Sequence, residues 1–274
     1  MPADFEKIFG IEKEDILFLE HPSQLSENDA LRYGIASAIL SGDVLLALAV
    51  DCICDAAERG ADIKAVQNVI RHLTKVCTPS LCEGEALDTR YGMLFTSMDK
   101  LFTVSEDDVI QVLKKKTGEL FAFCTSAGYT IGSGKNRPDE KILSALRTYS
   151  EHCGIAFQLQ DDILGVLSDE KTLGKPIGSD IREAKNTLIL RESYKNASDN
   201  EKARLSYIVG NKNASSADME EAISILKNNG GIEYSAKRAD EYIVSAIDAL
   251  KVIPDSEYKD LMKEAAHAMR VRIM

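Results

Sequence analysis

Residues 154–167 read GIAFQLQDDILGVL, an apolar stretch broken by two adjacent acids, Asp161 and Asp162. Helical spacing puts Gln158 one turn before them, on a face it can share with Asp161 or Asp162. Neighbouring carboxylates repel one another, so holding both on a buried surface is costly unless a cation relieves them. Mg²⁺ does this well, because it takes one or two carboxylates and completes its shell with phosphate oxygens and water. A lone aspartate pair is ordinarily a solvated helix end. The apolar residues on both sides argue against that reading here.

Working outward, the helical pattern extends back to about residue 139 and stops at the turn Ser168-Asp169-Glu170. The loop TLGKPIG (172–178) then carries Lys175, and a helix from about Asp180 carries Lys185. Lysines arriving from a glycine-flanked loop can neutralise phosphate charge. The stretch from Phe157 to Thr187 therefore reads as a magnesium–diphosphate site on a helical frame.

The remaining pattern is also helical, and an all-α fold is expected. Six prolines and 17 glycines in 274 residues leave room for long helices, and no Asn-Gly or Asp-Gly joins two alternating strands. Ile35, Ile39, Leu40, Leu46 and Ile53 recur at helical spacing up to about Gly60. A second helix is expected over about 62–78, and a third begins between Leu81 and Asp88 with Glu83, Glu85 and Asp88 on it. Ser105 caps a helix with Glu106, Asp107 and Asp108 in its first turn, running through Lys116 to about Gly132. Ser215-Ser216 opens another, stopped by Gly230-Gly231, and two more cover about 232–251 and 256–271 with Pro254 between them. With no internal repeat or linker, a single helical domain is expected over 33–274. An atypical segment, 1–32, precedes it, and His21-Pro22 breaks any helix there.

Apolar residues make up 45% of the chain and charged residues 28%, which is a globular rather than a disordered profile. The formal charge of −11 repels nucleic acid and anionic membranes, so neither is expected as a partner. An anionic substrate would need a local basic cluster or a metal bridge. Ile39 to Ala57 is apolar, but Asp43, Asp51 and Asp55 interrupt it, so it reads as a core helix and not a membrane span. The start, MPADFEKIFG, shows no signal-peptide pattern. The six cysteines lack CxxC or zinc spacing and read as small buried residues in a reducing cytoplasm.

FQLQDDILGV (157–166) followed by LGKPIGSDIREAKNTLIL (173–190) resembles the second aspartate-rich region of the trans-isoprenyl diphosphate synthases, the polyprenyl synthetase family. AILSGDVLLALA (38–49), EGEALD (83–88) and KKTGELF (115–121) are similar to further family segments in the same order, so the likeness covers roughly 33–274. It implies an isoprenoid synthase-like helical bundle around a central substrate cavity. It also implies Asp161 and Asp162 as Mg²⁺ ligands, and Lys116, Thr117, Gln158, Lys175 and Lys185 as contacts of an allylic diphosphate. Lys116 and Lys175 would be the catalytic pair, and Asp88 the acid lining the same cavity. In such enzymes the metal-bound diphosphate leaves, the double bond of isopentenyl diphosphate attacks the allylic cation, and the departing diphosphate removes a proton. The protein stabilises charge and excludes water. Phe157 could face that cation, although a core position suits it better.

Two departures from the family pattern stand out. Gly165 occupies the place where a third aspartate often follows the pair. Counting back from Tyr33-Gly34, Glu14-Asp15-Ile16-Leu17-Phe18 falls where the first aspartate-rich motif belongs, and Ser23-Gln24 where two arginines belong. The resemblance thus supports a prenyltransferase condensing an allylic diphosphate with isopentenyl diphosphate, with impaired activity as it stands. The alternative is a catalytically inactive regulatory subunit of a heteromeric synthase. A helical lyase or cyclase using the same metal site is a third reading. A homodimer or a heteromer with a related synthase subunit is expected in either of the first two cases.

Overall fold

Every element in the computed structural model, which describes residues 26–94, 97–134, 138–167 and 178–270, is helical. Lys175, Glu14 to Phe18, Ser23-Gln24 and the turn at 168–170 lie outside the described residues. Contacts divide the chain into two units, Met1–Asp55 and Ala56–Met274.

The first unit holds most of α1 (Glu27–Glu58). The sequence suggests a core helix, but Leu31, Ile35, Ile39, Leu40, Val44 and Leu45 are exposed. Periodicity records that an apolar face needs cover, not which surface supplies it. By length and composition alone, Asn28–Glu58 could also cross a bilayer.

The second unit begins with α2 (Ile63–His72), a wide π turn (Leu73–Cys77) and α3 (Thr78–Leu94). The expected break near residue 80 is absent, and the helix continues through Pro79. Proline lacks the N–H that an α-helix uses, and its ring clashes with the carbonyl four residues back. The π turn relieves both, since Thr78 N–H donates to the Leu73 carbonyl, five residues back. After a 3₁₀ segment (Met98–Thr103), α4 (Glu106–Leu113) starts at the expected Ser105. The Ser105 hydroxyl accepts from Asp108 N–H at 3.0 Å and the Asp108 carboxylate reaches back, a complete capping box. A second π turn (Lys114–Gly118) joins α4 to α5 (Glu119–Gly132).

Then comes α6 (Glu140–Leu167), the long helix expected around the aspartate pair. It is followed by α7 (Ser179–Arg182), α8 (Leu188–Asn196), α9 (Asp199–Ile208), α10 (Ser216–Asn228), α11 (Gly231–Ala249) and α12 (Glu257–Arg270). Cys153, Ala156 and Leu159 of α6 pack with Ala239, Ile243 and Ala246 of α11. One turn further on, Ile163 and Val166 enter a second core with Ile181, Ile189, Leu205 and Leu226. The core stripe of α6 runs at i, i+3, i+7 and i+10 from Ala156, which carries Asp162 to its margin, Gln158 beyond it and Asp161 to the opposite face.

The expectation of buried cysteines holds for Cys77 and Cys153 only, and Cys52, Cys54, Cys82 and Cys124 are exposed. An average preference for burial is overridden by which face of a helix a residue falls on.

Candidate diphosphate site

Three glycines set the frame. A Cβ on Gly154 would lie 2.6 Å from Gly118 Cα, and a Cβ on Gly84 would lie 2.6 Å from the Lys116 backbone nitrogen. The π turn Lys114–Gly118 therefore sits backbone to backbone against both α6 and α3. Its three lysines diverge from there. Lys114 pairs with Glu151 at 2.9 Å and Lys115 with Glu83. Lys116 alone faces the cavity, as expected, with its Nζ 2.7 Å from Asp88 Oδ2 and 2.9 Å from Glu85 Oε2.

Thr117 donates to Gln158 Oε1 at 3.1 Å, and Gln158 Nε2 donates to Asp162 Oδ1 at 3.4 Å. Of the two acids, Asp162 turns inward and is 6% exposed, while Asp161 is exposed and lines neither the cavity nor the cleft beside it. Lys185 Nζ is 2.8 Å from Asp180 Oδ1. Asp88, Lys116, Gln158, Asp162 and Lys185 line one cavity of about 40 Å³, with Tyr91 and Val112 in its wall. That space suits a few waters rather than a hydrocarbon chain. It adjoins an open cleft of about 730 Å³ that shares Asp88, Lys116 and Lys185 with it. Phe157 is half-buried, its ring 5.7 Å from that of Phe121.

The electrostatics follow from this packing. Burial pushes the Asp162 carboxyl up to about 7, with Asp180 adding to the rise and Lys185 and Gln158 opposing it. Burial alone would lower Lys116, but hydrogen bonds to Asp88 and Glu85 hold it above the ordinary lysine value. Asp180, and Asp162 and Asp88 behind it, do the same for Lys185 against its own burial.

Asp180 had no local sequence signal. A Cβ on Gly165 would lie 3.2 Å from Asp180 Oδ2, so the glycine in place of a third aspartate makes room for this carboxylate. Lys185 follows Ala184, whose φ of 54° is left-handed and turns the chain so that Lys185 N–H donates to the Asp180 carbonyl at 3.0 Å. The short bend 183–187 ends at Thr187, which caps α8 by accepting from Leu190 N–H at 3.2 Å.

Among the described residues, no group of three or more His, Cys, Asp or Glu side chains could hold a metal ion unaided. Asp162 fits instead an Mg²⁺ that arrives with phosphate oxygens, since Mg²⁺ commonly takes only one or two carboxylates. A buried carboxyl poised near neutrality is the group such an ion would relieve.

Residues 26–226 match the sequence pattern of the polyprenyl synthetase family. The chain belongs to this family. It is similar to the short chain isoprenyl diphosphate synthase of Methanocaldococcus jannaschii, with 37% identity over 74% of this chain and 56% of that protein. The chain thus spans little more than half the length of this relative. Among solved structures it resembles the geranylgeranyl pyrophosphate synthetase of Pyrococcus horikoshii, with 33% identity and a TM-score of 0.71 over 88% of this chain and 68% of that one. It also resembles a polyprenyl synthase of Caulobacter crescentus solved with calcium and isoprenyl diphosphate, with 29% identity and a TM-score of 0.73 over the same shares. The polyprenyl synthetase resemblance and the all-α fold both stand.

Proposed function

We propose that this polyprenyl synthetase family member is a prenyltransferase that binds an allylic prenyl diphosphate through Mg²⁺ and condenses it with isopentenyl diphosphate. The observation that carries this reading is the convergence of Lys116, Gln158, Asp162 and Lys185, from three separate segments, on one cavity. The names of the similar proteins, and the isoprenyl diphosphate and calcium in the Caulobacter crescentus structure, point the same way.

In this reading Lys116 and Lys185 exchange their carboxylate partners for diphosphate oxygens, and Lys175 is a further diphosphate contact. Thr117 holds Gln158, and Gln158 in turn holds Asp162 toward the ligand. Asp161 and Asp162 would be the protein's Mg²⁺ ligands. When bound, the ion supplies neutralisation of the negative charge on the departing diphosphate. Each lysine–phosphate hydrogen bond is worth about 1.5–3 kcal/mol when shielded from water, roughly 10–100-fold in affinity. Asp43, Asp51 and Asp55 on α1 suit a cytoplasmic association surface better than a membrane span, in a homodimer or a heteromer with a related synthase.

Calorimetric titration with geranyl diphosphate and Mg²⁺ tests the binding. Affinity is expected to require Mg²⁺ and to fall at least about tenfold in Lys116→Ala and Asp162→Asn. Absence of Mg²⁺-dependent binding by a folded sample would overturn the reading. Labelled isopentenyl diphosphate tests turnover, and a lengthened diphosphate product is expected.

A second reading, the regulatory subunit, is favoured by Phe18 and Ser23-Gln24, which cannot bind metal or diphosphate as an aspartate motif and two arginines would. It predicts the same binding, with turnover only after mixing with a complete synthase.

A further inference from the structure

The open cleft beside the cavity is lined by three lysines: Lys116, Lys185 and Lys212. Two are already engaged, Lys116 with Glu85 and Asp88 and Lys185 with Asp180. Lys212 is exposed and forms no ion pair within 4 Å among the described residues. It lies on the loop between α9 and α10, far in sequence from every segment discussed above.

That loop is anchored to the segment that carries Lys185. Gly210 N–H donates to the Ile181 carbonyl at 3.0 Å, and Arg182 Nη1 donates to the Ala214 carbonyl at 3.0 Å. Gly210 has a φ of 76°, and a Cβ there would lie 3.3 Å from Ala184 Cβ, so the two backbones meet beside Lys185. Within the loop, Asn213 N–H donates to Asn211 Oδ1 at 2.9 Å and Ala214 N–H to the Asn211 carbonyl at 3.1 Å. Lys212 is thus, among the described residues, a cation with no ion-pair partner, on a loop tied at both ends to α7, just before the bend that carries Lys185. It lines the outer cleft but not the inner cavity.

We infer that Lys212 is a further diphosphate-binding residue, one that takes the solvent-facing oxygens of a diphosphate held by Lys116 and Lys185. The inference rests on the diphosphate reading of this site and deepens it. A cation that needs no exchange of partners adds attraction without breaking an existing ion pair. Its exposure also makes that attraction salt-dependent.

The test is calorimetric titration of the full chain with inorganic pyrophosphate and Mg²⁺, at low and at high salt. Lys212→Ala is expected to weaken binding roughly 5–10-fold at low salt and less at high salt. Lys212→Arg is expected to restore most of the affinity. Lys227→Ala, an exposed lysine at the end of α10, controls for general charge and should bind like the unaltered chain. Unaltered binding by Lys212→Ala, or an equal loss in Lys227→Ala, overturns the role of Lys212 and leaves the site reading intact. Failure of the unaltered chain to bind overturns both. Because Lys212 is exposed and has no ion pair among the described residues, an unchanged melting temperature separates lost contact from lost fold.

Discussion

Gly154 on α6 and Gly118 at the end of the second π turn meet backbone to backbone, so close that a Cβ on Gly154 would lie 2.6 Å from Gly118 Cα. This contact fixes the height of the π turn against α6. The hydrogen bond from Thr117 to Gln158, and through Gln158 the orientation of Asp162, depends on it.

Gly154→Ala should therefore lower both stability and Mg²⁺-dependent diphosphate affinity. The obstructing atom is backbone and cannot rotate away, so overpacking costs about 1–3 kcal/mol, partly offset by the better helix propensity of alanine. A fall of several degrees in melting temperature is expected. Gly128→Ala on α5 is the matched comparison: nothing lies within 4 Å of its added Cβ, and it should be neutral or stabilising by up to about 1 kcal/mol. A loss of stability in both, or in neither, would contradict this account.

Ala184 carries the left-handed bend before Lys185. Alanine tolerates φ of 54° at a cost of about 1–2 kcal/mol, whereas a β-branched residue does not fit there. Ala184→Val should lose about 2 kcal/mol or more in denaturant unfolding, together with diphosphate affinity. Ala184→Gly should stay close to the parent, because relief of strain offsets the added chain entropy and the lost buried methyl. Equal stability of the two variants would refute the bend as a strained element.

The raised Asp162 carboxyl sets a pH dependence. A free aspartate titrates near 3.9, whereas Asp162 in the folded chain titrates at about 7. The folded state therefore holds more protons between these values, and stability declines as pH rises from about 4 through about 7. Melting temperature measured without ligand should reflect that decline, and Asp162→Asn should flatten it and gain stability relative to the parent above neutrality. An Asp162→Asn profile parallel to that of the parent would rule this out.

Alkylation should separate the cysteines by burial. Cys77 and Cys153 are 0% and 1% exposed, and burial pushes both thiols up to about 11. Thiolate is the reacting form, so both should resist iodoacetamide in the native chain at neutral pH. Exposed Cys52, Cys54 and Cys82 should react first, with Cys124 slower because burial pushes its thiol up, and mass mapping of the labelled peptides reads the order.

Much of this architecture was legible before any coordinates. Helix starts at Ser105, near 139 and at Ser215 carry capping residues, and the stop at Gly230 uses a left-handed glycine, so local chemistry alone marks them. Lys116, Thr117, Gln158, Asp162 and Lys185 are brought together; helical phase decides where Gln158 and Asp162 point, whereas the left-handed Ala184 turns Lys185 in. The break expected near residue 80 is missing, because a π turn that absorbs Pro79 leaves no pattern in residue type. Asp180 sits on the one-turn helix α7, too short to show a periodic pattern, and Lys212 on a loop; Gly165 and Gly210 make the room beside them. The mid-helix glycines at 84, 118 and 154 were the overlooked signal, since a glycine inside a helix is costly unless another backbone must come close.

The double pairing of Lys116 with Glu85 and Asp88 makes the resting site its own competitor. On the proposed reading, a ligand would have to displace two carboxylates before it gained the lysine. A diphosphate accompanied by Mg²⁺ can satisfy the lysine and the vacated acids together. On that reading, such a cleft would favour a metal-bound diphosphate over small phosphates by what the site already holds rather than by shape.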